Sequence, residues 1–375
     1  MADVDAKLMA RAIEIAQGGD PSPNPHVGSV VADGETILAE GFHAAVGLEH
    51  AEIVALREAG ESARGKTLYV TLEPCNHEGR TPPCVDAILA AGIGRVVVGC
   101  KDPNPGVEGG GIERLEAAGV EVVVGVLEKE AKKLIEPWSK YITEQASYLS
   151  LKLAVSLDGR IATRTGASKW ITCADSRARV HLLRTRHDAV MVGINTVIAD
   201  DPRLTVRDVP GRSPVRVVMD SKLRIPTSCQ LVQTAKEVPT CVVTTVDASR
   251  AVAESLEDLG VSVIRVPASA EGRCDLRVTL RELALREVVS VLCEGGAELA
   301  GSLLAGGLPD EMHVFLAPVL LGPRGRPGAV DWAGPENPAD APRIESPRWE
   351  LCGNDAYVSG RLVYPKKSTR TTTAS

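Results

Sequence analysis

The sequence predicts an α/β protein with two domains. Its length of 375 residues corresponds to about two domains at the usual ~100–200 residues each. Along most of the chain, short β-branched apolar runs alternate with segments of helical periodicity, which is the pattern of a parallel sheet covered by helices. A fresh strand begins near Tyr148, so we predict a first domain at residues 1–145 and a second at 146–365. Residues 366–375 are polar and are predicted to form a disordered tail.

Composition excludes several classes of protein. The net charge of −7 argues against binding to nucleic acids, but a few arginines would suffice for a small phosphorylated substrate. The nine cysteines are spread along a long chain and do not form the dense framework of a small secreted protein. We see no signal or transit peptide and no apolar run near the ~18 residues of a membrane span. We therefore expect a cytoplasmic protein without nucleic-acid or membrane partners.

In the first domain, a helix and a hairpin precede alternating strands and helices. The helix is predicted from apolar residues on one helical face, followed by a glycine pair that ends it. These residues are Leu8, Met9, Ala12, Ile13 and Ala16, then Gly18-Gly19. The further predicted elements are strands 27–32 and 36–41 joined at Asp33-Gly34, helix 50–57, strand 67–72, helix 84–91, strand 95–100, helix 112–118, strand 120–124 and a helical connector at 127–143.

A candidate metal site spans His50 to Cys84. His50, Cys75 and Cys84 can supply three zinc ligands and leave the fourth tetrahedral position for water. Glu52 is close enough to His50 to move a proton of that water without binding the metal. Zinc-dependent base deaminases have this layout. A closed structural zinc site requires a fourth Cys or His ligand nearby, and the candidates His43 and His77 belong to a different pattern. Unrelated core residues would rarely combine His-Ala-Glu, Pro-Cys and Pro-Pro-Cys. The pattern therefore favours catalytic zinc.

Asn24 lies between two prolines and has two possible functions. It could be a turn residue, or an immobilised amide that reads a heterocycle. Taken alone, its position favours the turn.

In the second domain, strands again alternate with helices. A helix after Trp170 carries the basic residues Arg177, Arg179 and Arg184. The predicted strands are 149–155, 189–192, 215–219, 288–293, 312–316 and 356–363, and residues 335–347 are predicted to form a proline-rich loop.

Gly295-Gly296 lies at a predicted strand-to-helix turn. Without Cβ atoms the backbone can approach a pyrophosphate, and the free amides of the helix start bind the anion. The pair is weak evidence by itself, because it is not the G-x-G-x-x-G of a Rossmann fold. Arg184 and Arg207 could bind a phosphate through two hydrogen bonds each. Judged alone, they would be interpreted as surface charges.

Four motifs resemble one enzyme family closely. They are Asn24-Pro25-x-Val27-Gly28, His50-Ala51-Glu52, Cys75-x-His77-x-Gly79-Arg80-Thr81-Pro82-Pro83-Cys84 and Asp102-Pro103-Asn104-Pro105. Together they are similar to the bifunctional deaminase/reductase family of riboflavin biosynthesis, over roughly residues 5–365. The resemblance implies a cytidine-deaminase-like α/β/α fold for the first domain. It implies a dihydrofolate-reductase-like α/β fold for the second.

The resemblance also implies roles for residues of the first domain. One zinc ion would be bound by His50, Cys75 and Cys84, with Glu52 as the proton shuttle. The residues that would line the pyrimidine and ribose-phosphate pocket are Asn24, His43, His77 and Arg80. Asn76 stands where many members have serine, which is a minor departure.

For the second domain, the resemblance implies NADPH and substrate contacts. The NADPH contacts would be Ala154, Trp170, Thr196, Asp200, Ser221, Gly296, Ala297, Glu298, Leu299, Ala300, Gly301 and Ser302. The residues facing the substrate would be Ser168, Arg184, Leu204, Arg207 and Glu294.

The implied function is two consecutive steps of riboflavin synthesis. The zinc half would deaminate a phosphorylated diaminopyrimidine, and the other half would reduce its ribosyl chain with NADPH, in a homo-oligomer. One alternative is a deaminase with an inactive reductase-like domain, which the intact Glu294-Gly295-Gly296 pattern disfavours. A nucleic-acid editing protein is disfavoured by the acidic balance and by only two Phe residues. A structural zinc module is disfavoured by Glu52 beside His50.

The end of strand 215–219 bears on the choice of nicotinamide cofactor. An acidic residue there favours NAD, so Asp220 alone would indicate NAD. Strand alternation places Asp220 and Ser221 on opposite faces, and the resemblance selects Ser221. Lys222 and Arg224 could add positive charge for a 2′-phosphate. We therefore expect a preference for NADPH.

Overall fold

The computed structural model describes residues 2–78, 82–106, 110–322 and 328–365. Arg80 and the tail 366–375 lie outside the described residues. The chain forms two compact units. The first unit is Met1–Ala146 with Glu287–Val289, and the second is Ser147–Arg286 with Ser290–Ser375. Nothing in the sequence indicated that 287–289 joins the first unit.

The first unit contains a five-stranded sheet with helices between its strands. The strands are β1 Gly28–Asp33, β2 Thr36–Phe42, β3 Thr67–Leu72, β4 Arg95–Cys100 and β5 Glu121–Val124. The helices are α1 Ala2–Ala16, α2 Ala51–Ala59, α3 Cys84–Ala91, α4 Gly111–Ala117, α5 Glu128–Leu134 and α6 Glu136–Glu144. The strand order is β2-β1-β3-β4-β5, with β3, β4 and β5 parallel and β1 antiparallel to both of its neighbours.

Both faces of this sheet are covered, which makes an α/β/α sandwich. On one face α1 packs through Leu8 and Met9 against Val30 and Tyr69. On the other face α2, α3 and α4 enclose a cluster that includes Val31. Because both faces are covered, β3 is buried along nearly its whole length.

The predicted helical connector at 127–143 is two helices, α5 and α6. Pro137 occupies the first turn of α6. Proline removes a backbone donor and clashes with the carbonyl four residues before it, so it fits a helix start but breaks a continuous helix.

The second unit contains a ten-stranded sheet among its described residues. The strands are β6 Tyr148–Ser156, β7 Ala189–Gly193, β8 Val215–Met219, β9 Thr240–Thr245, β10 Ser262–Val266, β11 Ser290–Cys293, β12 Glu311–Ala317, β13 Arg343–Ile344, β14 Arg348–Cys352 and β15 Asp355–Val363. The order is β10-β9-β8-β7-β11-β6-β12-β15-β13, and β14 also pairs with β15. The seven strands that stand in this order from β10 through β9, β8, β7, β11 and β6 to β12 are parallel to one another. Strand β15 is antiparallel to its partners.

Helices follow most of these parallel strands. They are α7 Ala174–Thr185, α8 Ile194–Asp200, α9 Gln230–Gln233, α10 Arg250–Asp258, α11 Leu276–Ala284 and α12 Ala297–Ala305. Our sequence analysis predicted no element between residues 225 and 287, where the structure has β9, β10 and three helices. The signal was present, since β9 is a buried run rich in Val and Thr. The predicted loop at 335–347 contains β13 and a short 3₁₀ turn.

The carboxyl ends of parallel strands position the candidate sites. The end of β3 leads to Cys75, the end of β8 to Ser221, and the end of β11 to Glu294 and Gly296. In open α/β sheets such strand ends are where ligands bind. Within the described part of the chain, no helix combines the length and apolarity needed to cross a bilayer.

Candidate active sites

His50, Cys75 and Cys84 come together in the first unit. His50 precedes α2, Cys75 follows β3, and Cys84 is the first residue of α3. The Nδ1 atom of His50 lies 3.2 Å from Sγ of Cys84 and 3.6 Å from Sγ of Cys75. Zinc bonds of about 2.0–2.3 Å place two tetrahedral ligand atoms roughly 3.5 Å apart. The three predicted ligands therefore fit a zinc ion in both atom type and spacing.

The two cysteine thiols interact directly. Their mutual hydrogen bond lowers the pKa of Cys75 to about 4 and raises the pKa of Cys84. The backbone N–H of Cys84 also donates to Sγ of Cys75 at 3.3 Å. Coordination to a metal ion would deprotonate both thiols, because a coordinating thiol binds as the thiolate.

Glu52 is buried in the first turn of α2, beside this cluster. Burial raises the pKa of its carboxyl from 4.5 to about 7. A carboxyl that titrates near neutrality can accept and return a proton, which is what a shuttle requires. The position and burial of Glu52 suit that chemistry.

A cavity of about 430 Å³ opens beside the cluster, and we call it the first cavity. Asn24, His43 and His77 line it together with His50, Glu52 and Cys75. Nδ1 of His43 lies 3.0 Å from the carbonyl of Glu49, and its Nε2 lies 3.1 Å from Nδ2 of Asn24. Burial lowers the pKa of His43 to about 4, so its ring is neutral at pH 7. A neutral ring with Nδ1 protonated donates to Glu49 and accepts from Asn24.

Asn24 is both a turn residue and a residue of the cavity lining, so the two interpretations of its position are compatible. Its backbone N–H donates to the carbonyl of Pro21 in a turn, and its side chain lines the first cavity. The turn therefore holds the amide where a ligand would lie.

Sequence analysis assigned no role to several other residues of the first cavity. They include Glu73, Asp102, Asn104, Trp138 and Tyr141. Asp102 and Asn104 belong to the Asp-Pro-Asn-Pro motif, which could have indicated a role for them. No motif marked the two aromatic residues.

The second unit contains a cavity of about 1130 Å³, which we call the second cavity. Nine of the predicted cofactor and substrate residues line it, from the strand ends and from α8 and α12. They are Ser168, Thr196, Asp200, Ser221, Gly296, Ala297, Glu298, Leu299 and Ser302. Its volume is large enough for a dinucleotide.

The start of α12 has the features of an anion cradle. A Cβ atom on Gly296 would lie 3.3 Å from Oγ1 of Thr196, so glycine lets the two segments approach closely. The first backbone N–H groups of a helix have no partner within that helix and can bind phosphate. This turn therefore fits a pyrophosphate.

Other predicted cofactor residues lie outside the lining of the second cavity. Ala154 packs in a core cluster with Phe315, and Ala300 is fully buried. A Cβ atom on Gly301 would lie 1.9 Å from the carbonyl oxygen of Asp331, so this glycine serves close packing. Trp170 is 70% exposed, with the guanidinium of Arg177 4.6 Å from its ring centre.

At the end of β8, Asp220 and Ser221 face different environments. Asp220 is fully buried and accepts the backbone N–H of Ile225 at 2.8 Å. Ser221 lines the second cavity together with Lys222 and Arg224. Of Asp220 and Ser221, Ser221 is therefore the one placed to contact a ligand in the second cavity.

Glu294 and Arg184 form a buried ion pair. Nε and Nη2 of Arg184 donate to the two carboxylate oxygens at 2.6 and 3.0 Å. Lys152, which sequence analysis did not single out, lies 3.4 Å from the same carboxylate. Burial opposes ionisation of Glu294, but the charges of Arg184 and Lys152 outweigh it and lower its pKa to about 2.

The remaining predicted substrate residues have different surroundings, and Arg207 is linked to Arg184 through Thr205. Arg184 also donates to the carbonyl of Thr205 at 2.7 Å, and Nη1 of Arg207 lies 3.1 Å from the Thr205 hydroxyl. Arg207 is exposed, whereas the side chain of Leu204 lies in the core. The hydroxyl of Ser168 donates to Asp200 at 3.2 Å.

Two family models match the chain. The cytidine and deoxycytidylate deaminase zinc-binding region matches residues 2–100, and the RibD C-terminal domain matches residues 147–358. The first unit thus contains a deaminase fold with a candidate metal site, and the second contains a reductase fold with a dinucleotide-sized cavity. Fold and sites together define the class of bifunctional deaminase/reductases.

Individual relatives and solved structures cover nearly the whole chain. The riboflavin biosynthesis protein RibD of Aquifex aeolicus is 46% identical over 85% of this chain and 88% of its own. That of Escherichia coli is 42% identical over 94% and 98%. The structure of Acinetobacter baumannii RibD superimposes with a TM-score of 0.84 at 37% identity, covering 96% of this chain and 99% of that one. A Thermotoga maritima deaminase/reductase gives 0.83 at 35%, covering 97% and 99%.

The chain belongs to the RibD family, whose members are bifunctional deaminase/reductase enzymes of riboflavin biosynthesis. This confirms the family, the fold class and the two enzymatic activities that the sequence predicts. The homo-oligomeric state, the cytoplasmic location and the absence of nucleic-acid and membrane partners stay predictions.

Proposed function

We propose that the chain catalyses two consecutive reactions on one phosphorylated pyrimidine. The first is hydrolysis of 2,5-diamino-6-(5-phosphoribosylamino)pyrimidin-4(3H)-one to 5-amino-6-(5-phosphoribosylamino)uracil and ammonia, in domain 1–145. The second is NADPH-dependent reduction of the ribosyl to the ribityl chain, in domain 146–365. The Thermotoga maritima relative is named as a diaminohydroxyphosphoribosylaminopyrimidine deaminase and 5-amino-6-(5-phosphoribosylamino)uracil reductase. The observation that carries the proposal is the buried Glu52 beside the cluster of His50, Cys75 and Cys84, at a cavity that Glu52, His50 and Cys75 line.

In the deaminase site, His50, Cys75 and Cys84 would bind one zinc ion. Zinc supplies a Lewis acid that activates water for attack on the carbon bearing the amino group. Glu52 takes a proton from the attacking water and delivers it to the departing amine, which leaves as ammonia. The side chains that hold the pyrimidine in this proposal are Asn24, His43 and His77, and Arg80 would contact the ribose phosphate.

In the reductase site, the second cavity would bind NADPH. The backbone at Gly296–Ser302 would cradle the pyrophosphate, with Ala154, Trp170, Thr196, Asp200 and Ser221 as further contacts. The exposed Arg207 would bind the substrate phosphate. The Arg184–Glu294 ion pair, held by two hydrogen bonds, would give this part of the site a fixed shape. Ser168 and Leu204 complete the proposed substrate contacts.

Product analysis tests the proposal directly. Purified protein is incubated with the diaminopyrimidine nucleotide, with and without NADPH, and the products are identified by mass. Without NADPH we expect ammonia and the uracil nucleotide, and with NADPH the ribityl product. Absence of ammonia release from zinc-loaded protein would contradict the deaminase assignment.

Zinc removal is expected to leave the reductase active. All three proposed ligands lie in the first unit, and the second cavity is lined only by residues of the second unit. Chelator-treated protein should still oxidise NADPH when given the uracil intermediate, with a rate close to that of zinc-loaded protein. Loss of this rate in protein that keeps its circular dichroism spectrum would show that the two sites are not independent.

Ser221→Asp is expected to weaken the preference for NADPH over NADH. The new carboxylate would face the 2′-phosphate and repel it, while a free 2′-hydroxyl could donate to it. The measurement is the ratio of dissociation constants for the two cofactors. Ser262→Asp is the matched control, because it adds the same charge at an exposed position outside the cavity. Equal affinity of the unmodified protein for both cofactors would contradict the prediction.

A further inference from the structure

Helix α6 has an apolar face that is only partly buried. Trp138, Tyr141 and Ile142 are spaced i, i+3 and i+4, so they lie on one side of the helix. All nine residues of α6 are described, and none of them is buried. Amphipathic helices normally bury such a face against their own domain. This face has another neighbour, which is the first cavity.

Trp138, Tyr141 and Ile142 all line the first cavity together with His50, Glu52 and Cys75. Trp138 also packs against a core cluster that contains Leu72. Leu72 lines the cavity too and precedes the zinc ligand Cys75 by only three residues. The indole of Trp138 is therefore held by packing against this core cluster, close to the segment that carries the proposed metal ligand Cys75.

Two polar atoms of this face point to a ligand. Among the described residues, neither the indole N–H of Trp138 nor the hydroxyl of Tyr141 makes a hydrogen bond. Partly buried Trp and Tyr side chains usually find one. Both groups are therefore available to a molecule in the first cavity.

The first cavity has polar lining residues as well as apolar ones, and Val46 and Leu48 also belong to the apolar part. Asn24, His43, His77, Asp102 and Asn104 are polar and can read the edge of a heterocycle. A flat heterocycle also has two faces, which are best covered by aromatic or apolar groups. Helix α6 supplies such a surface. It lies outside residues 2–100, where the general deaminase zinc-binding region matches.

We propose that Trp138 and Tyr141 form a wall on which the pyrimidine ring of the substrate stacks, and that this wall positions the ring for deamination. The inference rests on the proposed function of the first cavity. The wall lies in a segment outside the zinc-binding region. The polar motif residues would hydrogen-bond to the edge of the ring, and α6 would determine the orientation of the ring plane.

The test uses full-length, zinc-loaded protein and compares Trp138→Ala, Trp138→Phe and Tyr141→Ala. Loss of a base–aromatic stack weakens binding by about 5- to 150-fold. We expect each alanine variant to raise KM for ammonia release by a factor in that range, and Trp138→Phe to restore most of the loss. Zinc content and reduction of the uracil intermediate should not change. Thr143→Ala, on the exposed side of α6, is the matched control and should behave as the unmodified protein.

Two further outcomes separate the possible failures. Because Trp138 packs in the core, its alanine variant could lose zinc or stability; Tyr141→Ala, outside that cluster, then decides the question. Unchanged KM in zinc-loaded Tyr141→Ala, or a loss confined to kcat, would contradict stacking of the ring on this wall. Failure of the unmodified protein to release ammonia would instead overturn the proposed function.

Discussion

Glu52→Gln is expected to reduce ammonia release by about 10²–10⁴-fold, the usual contribution of a general acid–base group. Glutamine has nearly the same shape but cannot accept and return a proton. Glu52 is buried and is not one of the three clustered ligand residues, so the variant should keep its zinc. The measurements are the deamination rate and the zinc content of the same preparation.

Two comparisons make this result specific. Glu58→Gln changes an exposed carboxyl on the same helix and should deaminate normally. Cys75→Ser and Cys84→Ser should lose zinc as well as activity, because each removes a ligand of a three-residue site. Normal deamination by Glu52→Gln would remove this residue from the mechanism.

Arg184→Met is expected to destabilise the second unit by about 3–5 kcal/mol, because it leaves the buried charge of Glu294 without its bidentate partner. The remaining contact with Lys152 favours the lower end of this range. Urea unfolding followed by tryptophan fluorescence reports mainly on this unit, which contains Trp170, Trp332 and Trp349. The reductase rate should fall in the same variant.

The double variant Arg184→Met/Glu294→Leu separates stability from function. Replacing both partners of a buried pair with apolar residues is often neutral for stability. We expect it to recover most of the lost stability while reduction of the uracil intermediate stays low. If Arg184→Met alone were as stable as the unmodified protein, the buried pair would not support this unit.

The same pair predicts a pH dependence. The pKa of Glu294 falls from 4.5 to about 2 in the folded protein. A lowered pKa stabilises the fold above 4.5, and this contribution is lost as the pH falls towards 2. As the pH falls from 5 to 3, the unmodified protein should therefore lose about 2 kcal/mol more stability than the double variant, because the unfolded carboxyl takes up its proton over this range. Parallel acid titrations of both proteins would reveal this difference.

Much of the first unit could be predicted because its signals are local. Cys84 begins α3 as predicted, and β3 spans Thr67–Leu72 as predicted. Apolar periodicity and turn residues determine such bounds over a few residues. The prediction failed at the connector, where Pro137 divides two helices. It made no statement about β9 and β10, although the composition of β9 favours a strand.

The sequence by itself determined that three candidate metal ligands and Glu52 come together, because short motifs at the end of β3 and at the starts of α2 and α3 carry them. It also determined the Gly295-Gly296 turn before α12. Only the tertiary structure decided that Trp138 lines the first cavity and that Lys152 approaches Glu294. These residues are far in sequence from the groups they meet and carry no motif. Their positions depend on how helices and strands pack, which local patterns do not encode.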